Sequence, residues 1–253
     1  MSQPLGLSQD LSKRILFLLG ALIVFRLGTH ITIPFISSAA LASLVQDQQG
    51  TILDMFNMFS GGSLERLSIF TLGIMPYISA SIIVTLMTSV IPKLEQLKKE
   101  GETGKRKITQ YTRLGTVVLA VFQSYGISIA LQSQSAGGVA LVTQGGFTFS
   151  MVTVVTLTTG TLFLMWLGEQ ITEKGIGNGI SMIIFAGIVS GLPSAFGSTL
   201  SLVSTGELTV ILVVILLAMT LLVTAFVVFM ERALRKILIN YPKRQMGNKM
   251  YGG

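Results

Sequence analysis

Apolar residues along this chain gather into long runs parted by polar breaks, and the runs have the length of a bilayer-crossing helix, about 20 residues. The first is Ile15 to Ile33, entered from Lys13 and Arg14 and closed before Pro34. A second runs from about Ser68 to Ile91 and stops at Pro92, and a third covers Leu114 to Leu131. Phe147 to Leu167, Ile180 to about Phe196 and Val210 to Met230 complete the set. The pattern predicts an all-α integral membrane protein with six transmembrane helices. Between the first two runs lies a polar loop, Ser37 to Gly50, with some helical character in AALASLV, then the short apolar piece Asp54 to Phe59. That piece is too short to span, so it dips into the membrane or lies at its surface. It continues through Gly61 and Gly62 into the second span. Broken backbone at membrane depth is tolerated only where protein or a water-filled space covers it, so this arrangement points to a conduit.

Composition fits that reading, with 50% hydrophobic and only 11% charged residues among 253. The net charge of +7 takes its meaning from where Lys and Arg fall. The most charged stretch, Lys93 to Arg113, reads as a loop on the positive side, whereas Gln132 to Gly146 carries no charge at all. Lys174 lies beyond the fourth span and a basic group from Arg232 to Lys249 follows the sixth. Six spans with both ends cytoplasmic put every basic cluster on one side and leave only Arg26 and Arg66 off it. No cleavage site follows the polar start, so a removable signal peptide is not expected. The absence of cysteine excludes disulfides and thiolate chemistry.

Candidate chemistry is sparse. The one histidine, His30, reads as a polar residue at a helix end, and Arg26 as a membrane arginine paired inside the bundle or at a headgroup. Glu169 and Glu173 are expected to be solvated or to pair with Lys174. No paired acids, P-loop, G-x-S-x-G or H-E-x-x-H is present, so neither catalysis nor a bound cofactor or metal is expected. The informative residues are apolar. Ile74 and Ile78 lie four apart in the second span and Ile180 and Ile184 four apart in the fifth, each pair on one helical face among small residues. The residues alone leave two readings: ordinary membrane isoleucines, or a hydrophobic constriction that closes a pore by dewetting. Gly73 with Pro76 is expected to loosen the second span.

Met55 to Ile83 (MFNMFSGGSLERLSIFTLGIMPYISASII), Lys98 to Arg113 (KKEGETGKRKITQYTR) and Phe163 to Val189 (FLMWLGEQITEKGIGNGISMIIFAGIV) closely resemble the bacterial SecY family, channel subunits of the Sec translocation complex, and most of all those of gamma-proteobacteria. The resemblance implies the first inverted half of a clamshell of ten helices in the bacterial inner membrane, passing unfolded secretory chains across and membrane segments sideways. On this chain it assigns a short plug helix within about 54–66, with Asn57, Met58, Phe59, Ser60, Gly61, Gly62, Ser63, Leu64, Glu65 and Arg66 in the plug. Ile74, Ile78, Ile180 and Ile184 match the pore ring, and the second and third spans one side of a lateral gate. Lys98, Lys99, Lys105, Arg106, Lys107 and Arg113 match the cytoplasmic face that meets partners. The implied partners are SecE, SecG, SecA, the ribosome with its RNA at the docking face, signal-bearing polypeptides and the insertase YidC.

The expected divisions are a cytoplasmic start (1–14), the first half (15–199), the sixth helix (200–230) and a cytoplasmic tail (231–253). Family members continue for four more helices beyond the point matching Gly253, so a truncated form, or one completed by a separate chain, is expected. The rival readings are an insertion substrate or nonfunctional fragment and, behind it, a secondary transporter, which would need buried ionisable groups that this chain lacks beyond Arg26.

Overall fold

Peptide groups inside a bilayer find no water, so apolar runs satisfy their own hydrogen bonds by coiling into helices. A computed structural model describes residues 5–37, 41, 57, 60–136, 139–233, 244–246 and 249–251. Its helices are α1 (Leu5–Gly28), α2 (Met75–Val90), α3 (Pro92–Lys99), α4 (Glu102–Ser133), α5 (Phe147–Lys174), α6 (Gly179–Ser204) and α7 (Val210–Glu231). Two small antiparallel hairpins join β1 (Ser135–Ala136) to β2 (Val139–Ala140) and β3 (Arg244–Met246) to β4 (Lys249–Tyr251). Among the described residues, α4, α5, α6 and α7 are long and apolar enough to cross a membrane; a fifth span results if α2 and α3, which meet at 99°, count as one. α1 has the length, 24 residues, but carries Lys13, Arg14 and Arg26.

Several boundaries differ from the hydropathy pattern. The second helix begins at Met75, not Ser68, because residues 60–74 run in turns. Pro76 falls in the first helical turn, where its missing N–H has no partner to lose, so it starts α2 rather than kinking it. The first helix stops at Gly28; residues beyond it form isolated bridges, Thr32 to Ser68 and Ile36 to Val142. The charged stretch after Pro92 is not a loop: it builds α3 and the opening turns of α4. Lys and Glu are good helix formers, and Glu95–Lys99 and Glu102–Lys105 pairs at helical spacing support it.

Two compact units divide the chain, 1–193 and 194–253. In the first, α4 packs against α2 and α5 through small residues. Thr112, Thr116, Ala120, Ser124 and Ser128 recur every four positions and all are buried. The Thr116 hydroxyl donates to the Thr112 carbonyl at 2.8 Å and the Ser124 hydroxyl to the Ala120 carbonyl at 2.6 Å, so these polar groups are satisfied within the helix and its face stays narrow. On α5, Gly160 is buried under the Ile69 carbonyl, a position with no room for a Cβ. One apolar core gathers Leu18, Phe25, Phe70, Ile74, Leu164 and Ile183, with Phe70 stacked between Phe25 and Phe163 at centroid distances of 6.1 and 5.9 Å. A second core, of Ile33, Leu67, Leu131, Leu141, Phe149 and Leu157, holds the connections at one end of the bundle. In the second unit α7 is apolar on every side and none of its side chains is buried, as for a helix whose solvent is lipid.

The Gly160 contact sets a test. Gly160→Ala should destabilise the folded chain in detergent by about 1–3 kcal/mol through overpacking against backbone. Gly126→Ala on α4, with open space around it, should be neutral or mildly stabilising. Thermal loss of the monodisperse species checks both.

Candidate functional site: a tethered irregular segment beside an isoleucine cluster

Residues 60–74 leave the helix, and side chains supply the hydrogen bonds that a helical ladder would have made. The Asn57 side chain does the most. Its amide donates to the Glu65 carboxylate at 3.0 Å, and its oxygen accepts the Glu65 backbone N–H at 3.0 Å. Its own carbonyl accepts the Gly62 N–H at 2.9 Å and the Ser60 hydroxyl at 3.0 Å. Thr71 donates its hydroxyl to the Ser68 carbonyl at 2.6 Å, and Ser68 N–H donates to the Ser63 carbonyl at 2.9 Å. Gly61 and Gly62 take positive φ, 68° and 79°, which glycine adopts without steric cost. Leu67 does so at 43° while buried, a strained backbone held by the Ile33 N–H to Leu67 carbonyl bond at 2.9 Å. Met58 and Phe59 lie outside the described residues, as do residues 54–56 of the expected plug helix; of that stretch, residue 57 and residues 60–66 are placed, and 60–66 run in turns rather than in a helix.

Arg26 fastens this segment. Its guanidinium donates to the Gly61 carbonyl at 2.7 Å and to the Ser190 hydroxyl at 3.1 Å, joining α1, the segment and α6. The Ser190 hydroxyl donates its own hydrogen bond to the Gly187 carbonyl at 2.7 Å. A Cβ on Gly61 would lie 3.1 Å from the Gly187 Cα, so two glycines let the loop backbone reach the helix backbone. The interior pairing expected of Arg26 is present. Ser190 and Gly187 carried a readable signal, small residues three apart on one helical face. His30 carried none: it lies beyond the end of α1 and meets Arg66, 36 positions away.

A glycine-rich turn sets the isoleucines. Asn178, just before α6, accepts the backbone N–H groups of Ile180 and Ser181 at 3.0 and 3.3 Å, and Thr172 accepts that of Gly179 at 2.8 Å. Gly179 comes down on the Gly168 carbonyl, and Ile180 on Gly168 itself. Ile74 is buried in the first core at the start of α2, while Ile78 and Ile180 pack half-buried against the same core. Ile184, one turn further along α6, is also half-buried.

The cations predicted to meet partners, Lys98, Lys99, Lys105, Arg106, Lys107 and Arg113, are all exposed on α3 and the first turns of α4. Lys99 bonds Glu95 at 2.7 Å and Lys105 bonds Glu102 at 3.2 Å. Arg113 grips Glu169 on α5 with two bonds, 2.9 and 2.7 Å. Glu169, expected to be solvated or to pair with Lys174, pairs with Arg113 instead, because the planar guanidinium matches a carboxylate bidentately, and Lys174 lies over the Phe17 ring at 5.9 Å. An apolar groove of about 510 Å3 runs between α2, α3 and α4, lined by Val84, Met87, Leu94, Tyr111, Leu114 and Val118 among others. Among the described residues no three His, Asp or Glu side chains gather as metal ligands would.

Comparison with known proteins gives this architecture its relatives. The SecY family model matches residues 68–252. The protein translocase subunit SecY of Escherichia coli (strain K12) is 57% identical over 242 residues, covering 96% of this chain and 54% of the relative. The SecY of Buchnera aphidicola subsp. Acyrthosiphon kondoi is also 57% identical, over 96% of this chain and 68% of its own length. The chain thus spans about half the length of the Escherichia coli relative. Among solved structures, Sec61 in the canine ribosome-channel complex from the endoplasmic reticulum matches 70% of this chain and 36% of its own, with a TM-score of 0.51 at 15% identity. A structure described as that of a protein conducting channel matches equally, and both show the fold. With its all-helical membrane architecture, its irregular segment held against α6 and these matches over most of its length, this chain belongs to the SecY family.

Proposed function

We propose that this chain builds one half of the pore of a protein-conducting channel, with no catalytic role of its own. Unfolded polypeptide passes an apolar ring that includes Ile74, Ile78, Ile180 and Ile184, and the segment 57–66 plugs the pore at rest. The observation that carries the reading is the Arg26 bond to the Gly61 carbonyl. It holds non-helical backbone against the membrane helix α6, and such backbone is stable among membrane helices only where protein or a water-filled space covers it. Ile74, Ile78 and Ile180 share one apolar core, supplied from the start of α2 and from α6. A dry apolar ring resists ions by dewetting yet yields to a flexible chain. The groove along α2 and α4 offers apolar surface to a membrane segment leaving sideways.

We assign the end bearing α3 and the start of α4 to the cytoplasm, both termini with it, in a bacterial inner membrane. The support is charge: the exposed Lys and Arg of α3 and α4 lie at one end, and the loop between α4 and α5 is uncharged. The division into a first half over 15–199, a sixth helix over 200–230 and a cytoplasmic tail over 231–253 follows the same reading. SecE and SecG are the membrane partners, SecA or a translating ribosome supplies the drive at the basic end, and YidC receives released segments. The Escherichia coli relative is named as a translocase subunit, and Sec61 was solved with a ribosome.

Because the chain has no cysteine, single introduced cysteines report its topology without background. Ser133→Cys, at the exposed end of α4, should react with an impermeant maleimide from outside intact spheroplasts, and Gly101→Cys only after lysis. The reverse pattern would invert the assignment. Ile78→Ser and Ile180→Ser, in membranes where the chain supports export, should raise resting ion conductance in planar bilayers while a signal-bearing reporter is still exported; unchanged conductance would remove the ring. Arg26→Leu should free the segment, raising both resting conductance and the rate of trypsin cleavage after Arg66 about tenfold, the factor expected for a lost charge-assisted hydrogen bond.

A further inference from the structure

His30 sits where α1 has ended, and its two ring nitrogens are both engaged. Nε2 lies 3.3 Å from Nη1 of Arg66, in the tethered segment. Nδ1 lies 2.9 Å from the Arg26 carbonyl and 3.2 Å from the Thr29 hydroxyl. An arginine has only donors, so the contact with Arg66 requires a lone pair on Nε2. The carbonyl of Arg26 has only lone pairs, so the contact at Nδ1 requires a proton there. Thr29 completes the set: its hydroxyl proton points to the Arg26 carbonyl at 2.7 Å, leaving its oxygen free to accept. The arrangement therefore fits one state of the ring, the neutral tautomer with hydrogen on Nδ1. A second proton on Nε2 turns its acceptor into a donor aimed at a guanidinium.

The surrounding charges sharpen the effect. Arg66 meets one ring nitrogen, and the backbone carbonyl of Arg26 meets the other. Arg26 is turned to Gly61 and Ser190. Glu65, the carboxylate nearest in sequence to Arg66, is bonded to the Asn57 amide. Among the described residues no carboxylate forms an ion pair with Arg66 or Arg26, so a charged imidazole would be a third cation in the group. Histidine side chains as a class change charge between about pH 5 and 8.

We propose that His30 and Arg66 form an acid-released latch: the neutral imidazole holds Arg66, and with it residues 60–68, against the end of α1, and protonation breaks the hold. The sign follows from the geometry. The latch is present at higher pH, where Nε2 keeps its lone pair, and is lost as pH falls. With the topology proposed above, the group faces the non-cytoplasmic side, so acid outside the cell loosens the segment. That consequence rests on the plug reading, whereas the latch itself does not.

Amide hydrogen exchange of the whole chain in lipid nanodiscs tests it, with rates divided by the intrinsic rate at each pH. The amides of Gly62, Leu67 and Ser68, each bonded inside the segment, are the reporters. Between pH 7.5 and 5.5 their protection should fall about tenfold in the natural chain, as for the loss of one hydrogen bond to a charged group. His30→Gln, which keeps an acceptor but cannot titrate, should show no pH dependence. Arg66→Gln should be weakly protected at both pH values. A flat natural chain, or an equal fall in either variant, overturns the latch. These outcomes do not depend on conduction, so a failed latch and a failed channel are told apart by exchange on one hand and conductance on the other.

Discussion

Backbone that leaves the helix among membrane helices must find its hydrogen-bond partners inside the protein, and most of this structure answers to that constraint. The segment from residue 60 to Gly73 solves it with short polar side chains for its own N–H and C=O groups and one long cation, Arg26, for the Gly61 carbonyl. A charge is costly in a membrane unless paired or hydrogen-bonded, so Arg26 and the loop stabilise each other. Neither half of the arrangement is stable in that setting alone.

Close approach of backbones makes room for the arrangement. Gly61 against Gly187, Gly160 under the Ile69 carbonyl and Gly179 on the Gly168 carbonyl are three places where a side chain would push elements apart. The stripe of Thr, Ala and Ser on α4 acts in the same sense, since its hydroxyls bond their own helix and leave a narrow, dry face. Without water to drive apolar association, tight van der Waals packing is the main attraction left between membrane helices. Rigid packing at α4 and α5 then contrasts with the segment, whose few tethers are single hydrogen bonds.

At the basic end the physics is different, because water is present. The ion pairs of α3 and the start of α4 are exposed and contribute little stability, and the Arg113–Glu169 fork stands out because its two bonds fix α4 against α5. Lys98, Arg106 and Lys107 join no ion pair among the described residues.

The sequence by itself determined that the apolar runs are helices, because such a run in lipid has few alternatives; α5 and α7 start where hydropathy puts them and α7 ends within a residue of it, whereas α5 runs on to Lys174. It also marked Arg26, since an arginine in an apolar run demands a partner, and the isoleucine pairs, since spacing of four puts residues on one face. Tertiary structure alone decided the rest. The start of α2 at Met75 depends on bonds from residues 60–74 to side chains and to the strand-like stretch after α1, which local propensity does not register. The Glu169 partner lies 56 positions away on Arg113, and the His30 partner 36 away on Arg66. Periodicity reports which face of a helix is apolar, whereas polar pairing across helices depends on which ends the fold brings together. That is settled only when the backbone has packed.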